Sequence, residues 1–220
     1  MQVNEIFSSI QGEGIYAGVP MTFVRLQGCN LKCPWCDTSY AQNPKEGKFM
    51  SWEEIVDEVV ILESIPVEDI GRLKRWVCIT GGEPLLQEPD LFGLVQGLNS
   101  EGYKVEIETN GTFLPPLWYR LVDSWVADDK TPSSKSPRAN SNWLGLRPKD
   151  QVKYVVANND DLKFIKDRLS EGNVKVEVIV SPMMPSEQSW LQEVWEFCER
   201  EGLRFSLQLH KIVWNNLKGV

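Results

Sequence analysis

Short apolar, β-branched runs recur along the chain at 22–26, 76–80, 104–108, 124–127, 151–156 and 174–180, with helix-period stripes between most of them. Ser51-Trp-Glu-Glu54 is a capping box, and the stripe behind it runs through Trp52, Ile55, Val56 and Val59. Leu91, Leu94, Val95 and Leu98 repeat that spacing, Leu162, Ile165 and Leu169 mark a third helix, and 186–200 reads as a longer fourth. Alternating strands and helices require crossovers, which make the strands parallel and lay helices over them. Six such strands predict an α/β fold of one domain over 1–220. It is a partial, six-stranded parallel β/α barrel, open rather than closed by eight. The run at 204–209 reads as a weaker last strand.

The rest of the composition narrows the class. A chain of 220 residues suffices for a single substantial core. No apolar stretch approaches the roughly 18 to 20 residues that span a bilayer, and Met1–Glu5 lacks a basic targeting start, so a soluble cytoplasmic protein away from membranes is expected. A net charge of −8 argues against a nucleic-acid footprint, which needs clustered Lys and Arg. A small molecule is the better substrate class.

Cys29, Cys33 and Cys36 lie together after the first of these strands. Thiolates are the usual ligands of a four-iron cluster, and three local cysteines leave one iron open for chemistry. A structural zinc needs four ligands, and the remaining candidates are Cys78, Cys198 and His210. Cys78 falls in the apolar run 76–79, and Cys198 continues a helical stripe with Leu191, Val194 and Trp195, so packing accounts for both. A disulfide framework suits neither the close spacing nor the expected compartment.

Two further loops follow strands. Gly81-Gly-Glu-Pro84 offers glycines for close backbone approach but taken alone is an ordinary turn; Glu108-Thr-Asn-Gly111 is a common turn signal. The segment 128–150 is long, poor in apolar residues and carries Lys130, Lys135, Arg138, Arg147 and Lys149, as a binding segment or a solvated loop would.

The Cys-x-x-x-Cys-x-x-Cys spacing after a first strand resembles the radical S-adenosylmethionine superfamily, and the Gly-Gly-Glu turn is similar to the segment that holds the cofactor's ammonium there. Phe7-Ser-Ser-Ile-Gln-Gly-Glu-Gly14, Phe23-Val-Arg-Leu26, Cys36-Asp-Thr38, Gln208-Leu-His-Lys-Ile212 and Gly219-Val220 extend the likeness over the whole chain. They resemble the 7-carboxy-7-deazaguanine synthases. The resemblance implies a lyase that contracts 6-carboxy-5,6,7,8-tetrahydropterin to 7-carboxy-7-deazaguanine with loss of ammonia, on the route to queuosine. It implies a [4Fe-4S] cluster on the three cysteines, S-adenosylmethionine, Mg²⁺, a flavodoxin or ferredoxin as electron donor, and a homodimer.

Roles implied by the resemblance attach to particular residues. Ile10, Gln11, Gly12 and Glu13 face the aminopyrimidinone edge of the pterin; Arg25 grips its carboxylate; Thr80, His210 and the Val220 carboxylate complete its surroundings. Trp35, Asp37, Gly82, Glu83, Asp129, Lys130 and Ser181 fall to the cofactor, and Thr38 to Mg²⁺. The chain departs from the family pattern at Asp128-Asp-Lys130, where many relatives read Ser-Pro-Lys, so Asp129 replaces a small residue. Two rivals stand beside this reading: an activase that makes a glycyl radical on a partner, and a non-catalytic metal-binding module whose nine tryptophans cover a partner surface.

Overall fold

The computed structural model describes residues 1–63, 76–172, 174–215 and 217–219. Among these residues nine strands form one open sheet. In chain order they are β1 (Gln2–Ile10), β2 (Pro20–Leu26), β3 (Lys48–Phe49), β4 (Trp76–Gly81), β5 (Lys104–Thr109), β6 (Ser124–Asp128), β7 (Gln151–Val156), β8 (Glu177–Pro182) and β9 (Arg204–Phe205). Their spatial order is β3-β1-β2-β4-β5-β6-β7-β8-β9. From β2 onward the neighbours are parallel, so the sheet is mostly parallel and open, as the alternating pattern requires.

Four expected helices form: α1 (Trp52–Glu63), α2 (Glu88–Ser100), α3 (Asn159–Ser170) and α4 (Gln188–Glu201). The capping box is made in both directions. Glu54 N–H donates to Ser51 Oγ at 3.2 Å, and Ser51 N–H donates to the Glu54 carboxylate at 2.7 Å. Among the described residues no helix is long and apolar enough to cross a membrane.

Three sequence expectations need correction. The sheet holds an unforeseen long first strand, β1, paired antiparallel to β2. Its polar Asn4, Glu5, Ser8 and Ser9 hid a strand whose partners are aromatic and charged: Phe7 sits opposite Phe23, and Glu5 opposite Arg25. The run expected at 174–180 becomes a strand only at Glu177 and continues to Pro182. The weak strand at 204–209 pairs over two residues, and Leu209 instead opens a helix, α5 (Leu209–Trp214).

Period-two alternation gives the parallel strands two different faces. Val77 and Ile79, Val105 and Ile107, Trp125 and Ala127, and Val152 and Tyr154 all join the large core, together with Leu91, Leu94 and Leu98 of α2. The alternate residues point to the inner, concave face. There Cys78 packs with Met21, Phe23 and Trp76, while Glu106, Ser124, Gln151 and Lys153 form a buried polar floor. The outer face supplies hydrophobic stability. The inner face carries the polar chemistry, at the strand ends where open α/β sheets bind ligands.

Candidate functional site

A cleft of about 240 Å³ opens at the C-terminal ends of the parallel strands. Cys29, Cys33 and Cys36 line one wall, reached by the chain just after β2. Backbone pairing fixes this loop: Gly28 N–H donates to Ala41 at 2.7 Å and Cys29 N–H to Gln42 at 3.0 Å. Burial raises the Cys29 and Cys36 thiols above their ordinary values, the neighbouring sulfurs adding to the effect.

The donor set fits a cluster better than a single ion. A tetrahedral zinc holds each sulfur at about 2.3 Å, which crowds its ligands together. Among the described residues only Cys78, Glu106 and Glu108 place three ligand atoms within 4.8 Å of one another, so the three loop sulfurs do not all lie that close together. Three thiolates around an open fourth position match a four-iron cube, whose positive charge would offset the cost of ionising them.

Gly81 and Gly82 abut the cysteine loop through backbone alone. Gly82 N–H donates to Leu26 at 3.0 Å, and Glu83 N–H to Gly28 at 2.8 Å. A Cβ on Gly82 would lie 2.0 Å from the Gly28 carbonyl oxygen, so only glycine allows this approach. Glu83 does not reach the cleft. It is fully buried, accepting from Thr109 Oγ1 at 2.7 Å, Asn110 N at 2.7 Å and Leu85 N at 3.0 Å. The glycine backbone therefore faces the space beside the cysteines, and Glu83 fastens the turn to the end of β5.

The opposite wall is polar. Glu13 sits between Lys153 Nζ at 2.6 Å and Gln208 Nε2 at 2.8 Å, with His210 Nε2 at 3.9 Å. Burial alone would raise the Glu13 carboxyl; the charges of Lys153 and His210 and the hydrogen bonds from Lys153 and Gln208 bring it below its ordinary value. Burial likewise disfavours a charged Lys153, yet Glu13, Asp128 and Glu108 raise it well above the usual amine. Both groups are thus held as a buried ion pair.

Gln11 reaches the cleft wall, but its amide is already engaged. Nε2 donates to Glu106 at 2.7 Å and to Glu108 at 3.2 Å, and Oε1 accepts from Glu13 N at 3.2 Å. Gln11 therefore braces the loop that presents Glu13, and Thr80 similarly donates to Glu108 Oε2 at 2.7 Å. Arg25 lines the cleft with its Nε on Glu5 at 2.8 Å, its guanidinium 5.6 Å from the Phe7 ring and 5.9 Å from that of Tyr40. Such a clamp leaves the outer edge of the fork for a carboxylate.

Helix α5 brings the chain's end across the cleft. Leu209 N–H donates to Gly12 at 3.0 Å, and a Cβ on Gly12 would lie 2.6 Å from His210 Nδ1, so glycine permits the ring to settle there. Lys211 Nζ meets Asp37 at 3.1 Å, with His210 Nε2 at 4.0 Å. Burial opposes ionisation of Asp37, but His210, Lys211 and Thr38 hold its carboxyl far below the usual range. Thr38 Oγ1 donates to Asp37 Oδ1 at 3.0 Å, which leaves the hydroxyl's lone pairs for a hard cation.

Of the residues singled out in the sequence, Ile10, Gln11, Gly12, Glu13, Arg25, Trp35, Asp37, Thr38, Thr80, Gly82, Lys130 and His210 line this cleft beside the cysteines. Glu83, Asp129 and Ser181 do not; each is completely buried behind it. Val220 lies outside the described residues. Sequence reasoning missed Lys153, Asp128, Gln208 and Lys211, which line the cleft, and Glu106 beneath it. A lysine inside the apolar run Gln151-Val-Lys-Tyr-Val-Val156 was the available signal, as were Glu106 and Glu108 on one face of β5.

Comparison with known proteins converges on one family. Residues 23–127 match the model of the Radical SAM superfamily. A 7-carboxy-7-deazaguanine synthase of Hyperthermus butylicus is 35% identical over 97% of this chain and 92% of its own. That of Koribacter versatilis is 35% identical with both chains fully covered. The crystal structure of QueE from Escherichia coli shares the fold, with a TM-score of 0.75 at 24% identity over 95% of this chain and 94% of that one.

Proposed function

This chain belongs to the 7-carboxy-7-deazaguanine synthase family, and we propose on that premise how its residues serve the family's reaction. The enzyme is a radical S-adenosylmethionine lyase. It contracts the ring of 6-carboxy-5,6,7,8-tetrahydropterin to 7-carboxy-7-deazaguanine and releases ammonia. The observation that carries the reading is the meeting, in one cleft, of the three cysteines with Glu13, Arg25 and His210. A glycyl-radical activase would need an opening for a protein loop, whereas His210 and Lys211 of α5, with Gly219, line this cleft.

When bound, the [4Fe-4S] cluster with S-adenosylmethionine supplies the electron and the organic radical that start the reaction. Everything else falls to the chain. Cys29, Cys33 and Cys36 hold the cluster; the Gly81–Gly82 backbone accepts from the cofactor's ammonium, and Trp35 and Lys130 border its far side. Glu13, anionic and braced by Lys153, Gln208 and Gln11, accepts from the N–H groups of the aminopyrimidinone. Arg25, fixed by Glu5, receives the pterin carboxylate in a two-bonded fork. Holding both ends of the pterin leaves its reacting carbon one orientation toward the cysteine wall, which is the main service a protein gives to cofactor chemistry. His210 and α5 cover the pterin and keep water away.

The proposal extends to Mg²⁺ at Thr38, where a neutral oxygen next to a carboxylate suits a hard cation completed by substrate and water. It extends also to a flavodoxin- or ferredoxin-type electron donor, a homodimer, the cytoplasm, and the Val220 carboxylate at the pterin. Anaerobic incubation of the iron-reconstituted protein with the carboxytetrahydropterin, S-adenosylmethionine, dithionite and Mg²⁺ tests the core of the reading. A product lighter than the substrate by one ammonia is expected by mass spectrometry. Unaltered substrate, with the cluster present by its visible absorption, would overturn it.

A further inference from the structure

Asp129 and Arg168 stand behind the cleft wall and close the base of the segment that follows β6. The Asp129 carboxylate accepts from the backbone N–H of Ala139 at 2.7 Å, and Arg168 of α3 donates to the carbonyl of the same residue at 2.9 Å. Arg168 Nε donates to Asp129 at 2.8 Å, and the Tyr154 hydroxyl adds 3.2 Å. Both polar backbone groups of Ala139 are therefore tied to Asp129, directly or through one guanidinium. The side chains are 0% and 1% exposed, so water does not compete for these bonds.

What this knot holds is the inner side of residues 130–138. Lys130 pairs with Asp128 at 2.7 Å and lies 5.7 Å from the centre of the Trp35 ring. The Trp35 indole donates to the Ser133 carbonyl at 3.3 Å, and the Ser136 hydroxyl is 3.2 Å from Cys33 Sγ. The segment thus rests on the cysteine loop at three points while its two ends are pinned together behind.

We propose that the Asp129–Arg168 pair is a positioning device that holds residues 130–138 against the cysteine loop and so sets the affinity of the cleft for S-adenosylmethionine. The inference rests on the cofactor reading given above. A buried ion pair contributes little net stability over a well-packed apolar pair, so its consequence here is geometric. The planar fork matters because one guanidinium bonds a carboxylate and a carbonyl at once, which an ammonium on a flexible stem does not reproduce.

Two variants test it. Arg168→Lys keeps the charge and loses the fork; the double variant Asp129→Leu with Arg168→Met removes both charges and leaves neither stranded. In the metal-free full chain, amide exchange of 130–138 should speed up at least about tenfold while β7 exchanges as in the parent. In the iron-reconstituted protein, iron content and pterin affinity should stay at parent values. The dissociation constant for S-adenosylmethionine should rise at least about tenfold, since displacements near 1 Å are costly at such sites. Parent-like exchange and cofactor affinity in the folded double variant would overturn the proposal. So would equal losses for pterin and cofactor that track thermal stability. A parent protein that takes up iron but does not bind S-adenosylmethionine would refute the cofactor reading instead, and the exchange measurement would still decide whether the pair holds the segment.

Discussion

Replacing Glu106 by glutamine should free the protein of a pH dependence of folding and make it the more stable partner in alkali. Glu106 is 1% exposed on the inner face, and burial together with Glu108 pushes its carboxyl up to about 8, from an ordinary 4.5. Between those values the folded chain holds a proton that the unfolded chain has released. Its contribution to stability is therefore fully present below pH 4.5 and lost as pH rises through 8, the reverse of a salt-bridged carboxylate. Each pH unit inside that window is worth about 1.4 kcal/mol, so the parent should lose about 3 kcal/mol from this group between pH 6 and pH 9. Glutamine is a close mimic of the neutral acid. Its oxygen still accepts from Gln11 Nε2, which lies 2.7 Å from Glu106 in the parent.

The variant should then match the parent to within about 1 kcal/mol at pH 6 and exceed it by about 2 kcal/mol at pH 9. Urea unfolding of the metal-free proteins, followed by tryptophan fluorescence from pH 6 to pH 9, measures both curves, and their difference cancels the titrations they share. Parallel curves would refute the reasoning. A variant about 3 kcal/mol less stable at every pH would also refute it, because that is the signature of an ionised, well-paired carboxylate lost.

Other substitutions address the cleft itself. Gly82→Ala drives a Cβ to 2.0 Å from the Gly28 oxygen and 2.4 Å from its carbonyl carbon, so it should cost at least about 2 kcal/mol and lower iron uptake; parent-like melting and iron content would contradict the backbone contact. Thr38→Ala should leave iron content unchanged and abolish the acceleration of turnover by Mg²⁺, and an unchanged Mg²⁺ response would remove the metal from that hydroxyl. Arg25→Ala should weaken the carboxylated pterin by about 2 kcal/mol or more, while tetrahydropterin lacking the carboxylate binds as before; equal weakening of both ligands would discard the fork.

Much of the fold was legible because parallel strands and crossover helices write two periods into the sequence. The capping box at Ser51 and the runs at 76–80 and 151–156 lie where their chemistry demands. What stayed hidden has physical reasons. β1 carries polar side chains because an antiparallel strand near the sheet edge pairs through its backbone and tolerates a wet face. The last strand shortened to two residues because the chain leaves β8 after Ser206 N–H reaches Val180 at 3.0 Å: the Gln208 side chain turns to Glu13 at 2.8 Å, and Leu209 N–H pairs with Gly12 at 3.0 Å.

The site divides along the same line. Cysteine spacing and the Gly-Gly-Glu turn are local, so the sequence displays them directly. The polar floor is not local: Gln11 meets Glu106 across 95 residues, Glu13 meets Lys153 across 140, and Gln208 reaches Glu13 across 195. Each of these side chains, read alone, resembles an exposed polar position on a strand or loop. Only the sheet's register and curvature turn them inward, where the residues around Gln11 and Glu13 become one connected network. That network explains why Gln11 occupies a family motif without offering a free group to a ligand, and Glu83 is likewise committed, to Thr109, Asn110 and Leu85. Their bonds are used to aim Glu13 and the Gly81–Gly82 backbone, so the motif encodes a direction for its neighbours. Substitutions at Gln11 should accordingly disturb pterin affinity through Glu13, and pairing Gln11→Ala with Glu13→Gln should add little to Glu13→Gln alone. Fully additive losses in pterin binding would instead mean that Gln11 acts on the ligand by itself.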